Sequence, residues 1–314
     1  VTPSLPRRAA RRLLSALLVV WGAATISFCV LHLIPGDPVD AVLGPLVGAS
    51  PELRARVRAE LGLDAPLWVQ YLTALARLAA LDLGWSYRLD RPVADVLADQ
   101  LWPTVELAVA ALVLAVLLAG TAALATAGRR GLPRAVISGA ELVGAAVPSF
   151  WVGVVALTFL SFRWGLFPGP GAVGPHALVL PALTLAVPIA GVLAQVLRRE
   201  LDDTLGQPFV TSVRARGVGR TGVLVRHALR HAAVPLLTLA GWVFAGLLSG
   251  TVLVETVFAR PGLGRVLVSA VTARDIPVVN AVVVISAAAF VTVNLAVDAL
   301  YRVVDPRLRA SEAP

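Results

Sequence analysis

Three carboxylates stand in or beside long apolar runs, where an ionisable group is costly to keep: Glu106, Glu141 and Glu255. An acid at such a position either lines a polar path or finds a cation. Glu141 follows Arg134 by about two helical turns, so it can face a path or snorkel toward nearby arginines. Glu106 and Glu255 lie near the ends of their apolar runs, which suits a gating or a structural role. Asp298 precedes Arg302 by four residues, a spacing that supports an ion pair along one helix face.

Chemistry that makes or breaks bonds is poorly served. His32, His176, His227 and His231 never occur in a His-Glu-x-x-His arrangement, and no Gly-x-Ser-x-Gly elbow is present. All 27 basic residues are Arg, so the lysine of a phosphate-cradling P-loop is missing. Cys29 is the single cysteine and there is no methionine, which leaves no disulfide framework and no soft ligand set for a bare metal ion. The chain is therefore assigned no catalytic, metal or cofactor residue, and any ATP with its Mg would be bound and hydrolysed elsewhere. An intramembrane hydrolase built on Glu141 or a histidine would need a nucleophile and base converging at membrane depth, and no such pair is visible.

The densest cluster of functional residue types is RRELDDTLGQPFVTSVRARGVGRTGVLVRHALRH, Arg198 to His231. Five arginines from Arg214 to Arg230 alternate with Val213, Val218, Val223, Leu224, Val225 and Leu229, while Gly217 and Gly219 interrupt the run. Two glycines do not suit one long helix skirting a membrane. The pattern predicts two short helices with a turn, presented to a partner.

The elements that position these residues are set by hydropathy. Charged residues make up only 15% of a 314-residue chain that is 58% hydrophobic, with mean hydropathy +0.82. That composition is far outside the soluble range. Runs of roughly 20 apolar residues cross a bilayer core about 30 Å thick. They predict an all-α, polytopic membrane protein with about six spanning helices: Leu13–Ile34, Val105–Ala127, Ala135–Leu160, Leu178–Leu197, Ala232–Leu253 and Val278–Tyr301. The first is read as a retained signal anchor, since no small-residue cleavage site follows it. Pro148, Pro181, Pro188 and Pro235 are each placed to kink or interrupt a span.

Placing the N-terminus inside puts 17 of the 27 arginines on the inner side, and six of the other ten fall in the long segment 35–101 beside nine acids. The distribution predicts an N-in, C-in topology and places the Arg198–His231 loop on the inner side. It also explains the net charge of +8 without invoking nucleic acid, because the arginines sit in short loops. Segment 35–101 reads as a large outer insertion between the first two spans. Within it, Ser50 caps a helix opened by Pro51 and Glu52 that Gly62 ends. Leu67, Trp68, Tyr71, Leu72, Leu75 and Leu78 then form an amphipathic face for the outer membrane surface or the bundle. Gly84 and Pro92 break the chain before a short helix leads into the second span. The divisions are thus 1–34, 35–101 and a five-helix core, 102–314, with no internal repeat.

The Arg198–His231 loop resembles the cytoplasmic loop of binding-protein-dependent ABC importer permeases of the peptide and nickel branch. In that family an aromatic-Val opening, an Ala-basic-Gly stop and a later Arg-His-Ala-Leu-Arg stretch mark the helix that docks on the ATPase. Here Phe209, Val210, Arg214, Ala215, Arg216 and Gly217 match, followed by Arg226–Arg230 and Pro235. Phe209, Val213 and His231 stand where Tyr, Ala and Asn are usual. Further matches run in order along the chain: LIPGDPV (33–39), LGLDAPLWVQYL (61–72), DLGWS (82–86), RPV (91–93), PSFW (148–151), VETVFARPGLG (254–264) and NLAVDALYRVVDPRLR (294–309). The resemblance implies a permease of the cytoplasmic membrane acting by alternating access. Its implied partners are a second homologous permease, two cytoplasmic ATPases and an extracytoplasmic solute-binding protein. Di- or oligopeptides are the implied substrates, with nickel or a metal chelate as the alternative.

Overall fold

The computed structural model describes residues 5–33, 39, 50–60, 62–86 and 88–304. Most of the LIPGDPV motif, the end of the C-terminal tail and the side chains of Asp298 and Arg302 lie outside them, and with these the expected Asp298–Arg302 pair.

Apart from a hairpin of two two-residue strands, the described elements are helices. Four are individually long and apolar enough to cross a bilayer, and two bent pairs raise the number to six when each pair counts as one span. The chain forms two compact units, one of residues 1–103 and 261–291, the other of 104–260 and 292–314.

The first unit opens with α1 (Leu5–Leu33), then α2 (Pro51–Glu60) and α3 (Leu67–Ala79). As anticipated, Ser50 Oγ accepts the Leu53 amide at 3.2 Å and Gly62 ends the helix with φ +66°. The same serine hydroxyl, with a backbone amide, stabilises the ionised form of Glu52 and lowers its pKa below the usual carboxylate value. The amphipathic α3 divides its apolar residues between two environments. Tyr71 meets α1 through a 2.8 Å hydrogen bond with Thr25 and an edge contact with Phe28, while Leu67, Trp68 and Leu72 stay exposed.

A tight turn follows. Gly84 at φ +82° receives a cap from Asp82, and strands β1 (Trp85–Ser86) and β2 (Arg91–Pro92) pair antiparallel. Helix α4 (Val93–Thr126) then runs 34 residues without a break. The short helix expected to lead into the second span is continuous with it, Pro103 being absorbed within the helix. At 1.5 Å per residue α4 is about 50 Å long, well beyond the hydrocarbon thickness. Its first turns pack on α11 (Leu263–Ala273) and the start of α12 (Ile276–Val304), with Val93, Leu97, Leu263, Ala270, Val278 and Val282 as core. Beneath the hairpin the buried Ser86 hydroxyl donates to Asp275, which precedes α12.

The second unit is organised around α7 (Pro175–Leu205), which keeps both Pro181 and Pro188 inside one helix. Along α4, Ala108, Ala111, Ala115, Ala119 and Ala123, and Ala127 just past its end, are at most 1% exposed at intervals of three or four residues. Small side chains at that spacing let membrane helices approach closely. Ala186, Ala190, Leu193 and Ala194 of α7 fill the facing surface.

The third expected span, Ala135–Leu160, is not one helix. Helix α5 (Leu132–Ala146) ends at Val147, and α6 (Ser149–Ala156) continues as a π-helical turn through Arg163, inclined 105° to α5. Pro148 supplies the reason. The residue before a proline is pushed out of the helical region, and Val147 sits at ψ 131°. In the fifth span a π-helical turn, Val223–Ala228, leads into α9 (Leu229–Gly250), and the path bends by 55° near Pro235. The short α10 (Val252–Val257) follows.

Candidate functional site

The chain leaving α7 turns at Gly206 and forms α8 (Pro208–Ala215), eight residues opened by a proline at its first turn. One face of α8 is used internally. Val210 is 2% exposed, and the Phe209 ring lies 5.5 Å from His231. Val210 therefore faces the chain's own interior, where α8 meets the π-helical turn. The other face presents Thr211, Ser212, Arg214, Ala215 and Arg216 to solvent. Gly217 ends the segment at φ +79°, its amide donating to the Arg214 carbonyl at 2.9 Å. A side chain there would be strained by the left-handed backbone, although the space around it is open.

A polar network ties this segment to the long helices. Arg220 Nη2 donates to the Ala127 carbonyl at 2.6 Å, placing a cation at the negative end of the α4 dipole. One residue on, Gly128 turns at φ +64° and its amide donates to Asp202 of α7 at 2.6 Å. Asp202 also pairs with Arg134 of α5 at 2.7 Å, and Arg134 reaches the Arg129 carbonyl. Farther along the same helices, Arg198 of α7 grips Glu141 of α5 through both guanidinium nitrogens. The Nη1 contact to Oε1 is 2.8 Å, and Thr126 of α4 lies 3.4 Å from the same nitrogen. Both ionic partners are only 7% exposed.

Glu141 thus holds two helices together, and the cation it finds belongs to α7 instead of its own helix. Gly191 reinforces the join, because a Cβ at that position would collide with the Glu141 carbonyl oxygen. Glu106 and Glu255 each have separate partners. Glu255 is fully buried and accepts hydrogen bonds from Thr104 at 2.7 Å and Thr251 at 2.8 Å. Glu106 pairs with Arg260 at 2.5 Å, with the acid half exposed and the arginine nearly buried. Both acids link α4, at Thr104 and Glu106, to the stretch from Thr251 to Arg260. Arg198, Asp202 and Arg220 were not singled out from the sequence. The available signal was charge complementarity: acid and base stand seven apart on α5 and four apart on α7.

Two family models together cover nearly the whole chain. One, "Binding-protein-dependent transport system inner membrane component", matches residues 111–310, and its N-terminal companion matches residues 6–108. A permease protein of Brucella abortus (strain 2308), named for a peptide transport system, is 38% identical over 309 residues, covering 95% of this chain and 98% of that protein. The glutathione transport system permease protein GsiC of Salmonella choleraesuis (strain SC-B67) is 36% identical over 300 residues, covering 95% and 97%. The inward-facing MetNI methionine ABC transporter gives a solved structure with TM-score 0.50 and 16% identity, covering 67% of this chain and 96% of that one. At that identity it attests the fold alone. The chain belongs to the family of binding-protein-dependent transport system inner membrane components and is a multi-pass permease of the inner membrane.

Proposed function

We propose that this chain is one of two permease subunits in an ATP-driven importer of di- or oligopeptides, working with two cytoplasmic ATPases and an extracytoplasmic solute-binding protein. The observation that carries the reading is α8: a short helix with a free arginine-bearing face and a left-handed glycine stop, packed on the π-helical turn and flanked by Asp202 and Arg220, which bond to α5 and to the end of α4. ATP-driven movement of the ATPases would be received by α8 and passed to the long helices. In this reading ATP hydrolysis belongs to the ATPase subunits. Relatives named for peptide and glutathione transport favour peptides over nickel or a metal chelate. The test is reconstitution of the full assembly in proteoliposomes. Peptide-loaded binding protein is expected to stimulate ATP hydrolysis and peptide accumulation together. Accumulation of free nickel with no peptide or chelator present would refute the peptide assignment.

The orientation is part of the same proposal, with the N-terminus and α8 in the cytoplasm and α2 and α3 outside. Reporter fusions after Arg130 and after Arg230 are expected to read cytoplasm, and fusions near Asp64 and after Pro170 the outside. Inversion at two or more of these sites would overturn it.

A further inference from the structure

Away from α8, the first unit contains an open cavity of about 260 Å³ between α1, α3, the hairpin and the start of α12. That falls below the roughly 300–1,000 Å³ typical of sites enclosing a whole small molecule, so an occupant is only partly enclosed. Ala24 and Phe28 lie toward the end of the apolar stretch Arg11–Val30, and Asn280 and Val284 in the opening turns of Ile276–Val297. The cavity therefore sits where two spans meet the same membrane surface. Exposed Trp68 and Trp85 stand on the adjoining α3 and β1, as interfacial tryptophans do.

Its lining is amphipathic in an ordered way. On the helix bodies Phe28, Leu75, Leu78 and Val284 are apolar, while Tyr71 and Asn280 beside them are hydrogen-bonded to Thr25 and Ser27 of α1. Three exposed arginines line it from helix ends and turns: Arg77 in the last turn of α3, Arg88 in the hairpin and Arg274 just before α12. Among the described residues, none of these three guanidiniums has an ion-pair or hydrogen-bond partner. The two lining acids are engaged by neutral donors, Asp82 by the Gly84 amide and Asp275 by Ser86 and the Val278 amide. Three arginines against two aspartates leave one net positive charge in the lining.

We infer that this cavity binds an anionic phospholipid, its phosphodiester held by Arg77, Arg88 and Arg274 and the top of one acyl chain laid along Phe28, Leu75, Leu78 and Val284. The single charge of a phosphodiester matches the net charge of the lining. The tail leaves the partly open cavity into the bilayer at the depth where lipid already is. A peptide suits it less well, because the buried Asp275 that would receive an ammonium group already accepts two hydrogen bonds.

The test is native mass spectrometry on the assembled transporter, released in neutral detergent and offered equal phosphatidylglycerol and phosphatidylcholine. The wild type is expected to retain one phosphatidylglycerol in preference. Combined Arg77→Gln, Arg88→Gln and Arg274→Gln should weaken that retention at least tenfold and leave phosphatidylcholine unchanged. Ala74→Phe, which narrows the cavity from α3 with all arginines intact, should weaken it as well and decides the matter if the triple variant is not recovered. Unchanged phosphatidylglycerol retention in the recovered variants would overturn the proposal. So would two other results: glycerol 3-phosphate binding as tightly as the lipid, which would make this a free-anion site, or a dipeptide displacing the lipid, which would make it a solute subsite.

Discussion

Replacing Arg198 by leucine is expected to destabilise the permease by about 3–5 kcal/mol, the usual cost of leaving one member of a buried ion pair without its partner. Glu141 has nowhere to relax. It is 7% exposed, and its helix is pressed against α7 by the contact at Gly191. Glu141→Leu should cost a similar amount, since Arg198 would retain only the long contact to Thr126. The combined Glu141→Leu and Arg198→Leu variant should recover most of the loss, because desolvating both charges consumes much of what their attraction returns. Thermal unfolding of the detergent-solubilised protein reads all three. Additive losses in the double variant would show that the two residues do not act as a pair. Arg198→Lys should fall between, as an ammonium keeps the charge but cannot make the two-nitrogen contact.

Apolar length made most of the fold legible. A run of some twenty apolar residues has few alternatives to a spanning helix, so α1, α4, α7 and α12 lie where hydropathy puts them. Proline was the weak point. Pro181 and Pro188 look as disruptive in sequence as Pro148, yet α7 continues through both and the chain turns by 105° at Pro148. The difference lies in surroundings. Within α7 the prolines sit in a helix packed on several neighbours, whereas at Pro148 an extended Val147 starts a new direction. Side-chain partners were legible only where they are local. The Ser50 cap and the Gly62 and Gly217 turns are written in neighbouring residues. The partner of Glu141, by contrast, stands 57 positions away and is fixed by how α5 meets α7. Val210 shows the same limit, because an apolar residue on a short amphipathic helix reads identically whether its face meets a partner or its own chain.

Gly217→Val is expected to leave the protein inserted and folded in its long helices while weakening capture of the ATPase subunit at least tenfold. At φ +79° a β-branched side chain is strongly disfavoured, and the open space around Gly217 means that strain, not collision, is the whole effect. The strain would be relieved by opening the turn, which would re-aim Arg214 and Arg216 on the free face of α8. Gly217→Asn is the control, since asparagine tolerates the left-handed region and should retain most of the association. Phe209→Ala probes the same surface from the other end. Its ring is half-buried against His231, so its removal loosens the α8 seat and takes away the exposed aromatic edge. As an interface anchor it would cost about 2 kcal/mol, roughly a thirtyfold loss of affinity. Val210→Ala separates seating from contact: with no exposed surface, it should lower thermal stability before it lowers ATPase affinity. The measurements are ATPase recovery on pull-down and substrate-stimulated ATP hydrolysis, at matched expression. If Gly217→Val and Phe209→Ala both behave like the wild type in both measurements, α8 is only a basic tether, and the power stroke must enter the membrane helices elsewhere.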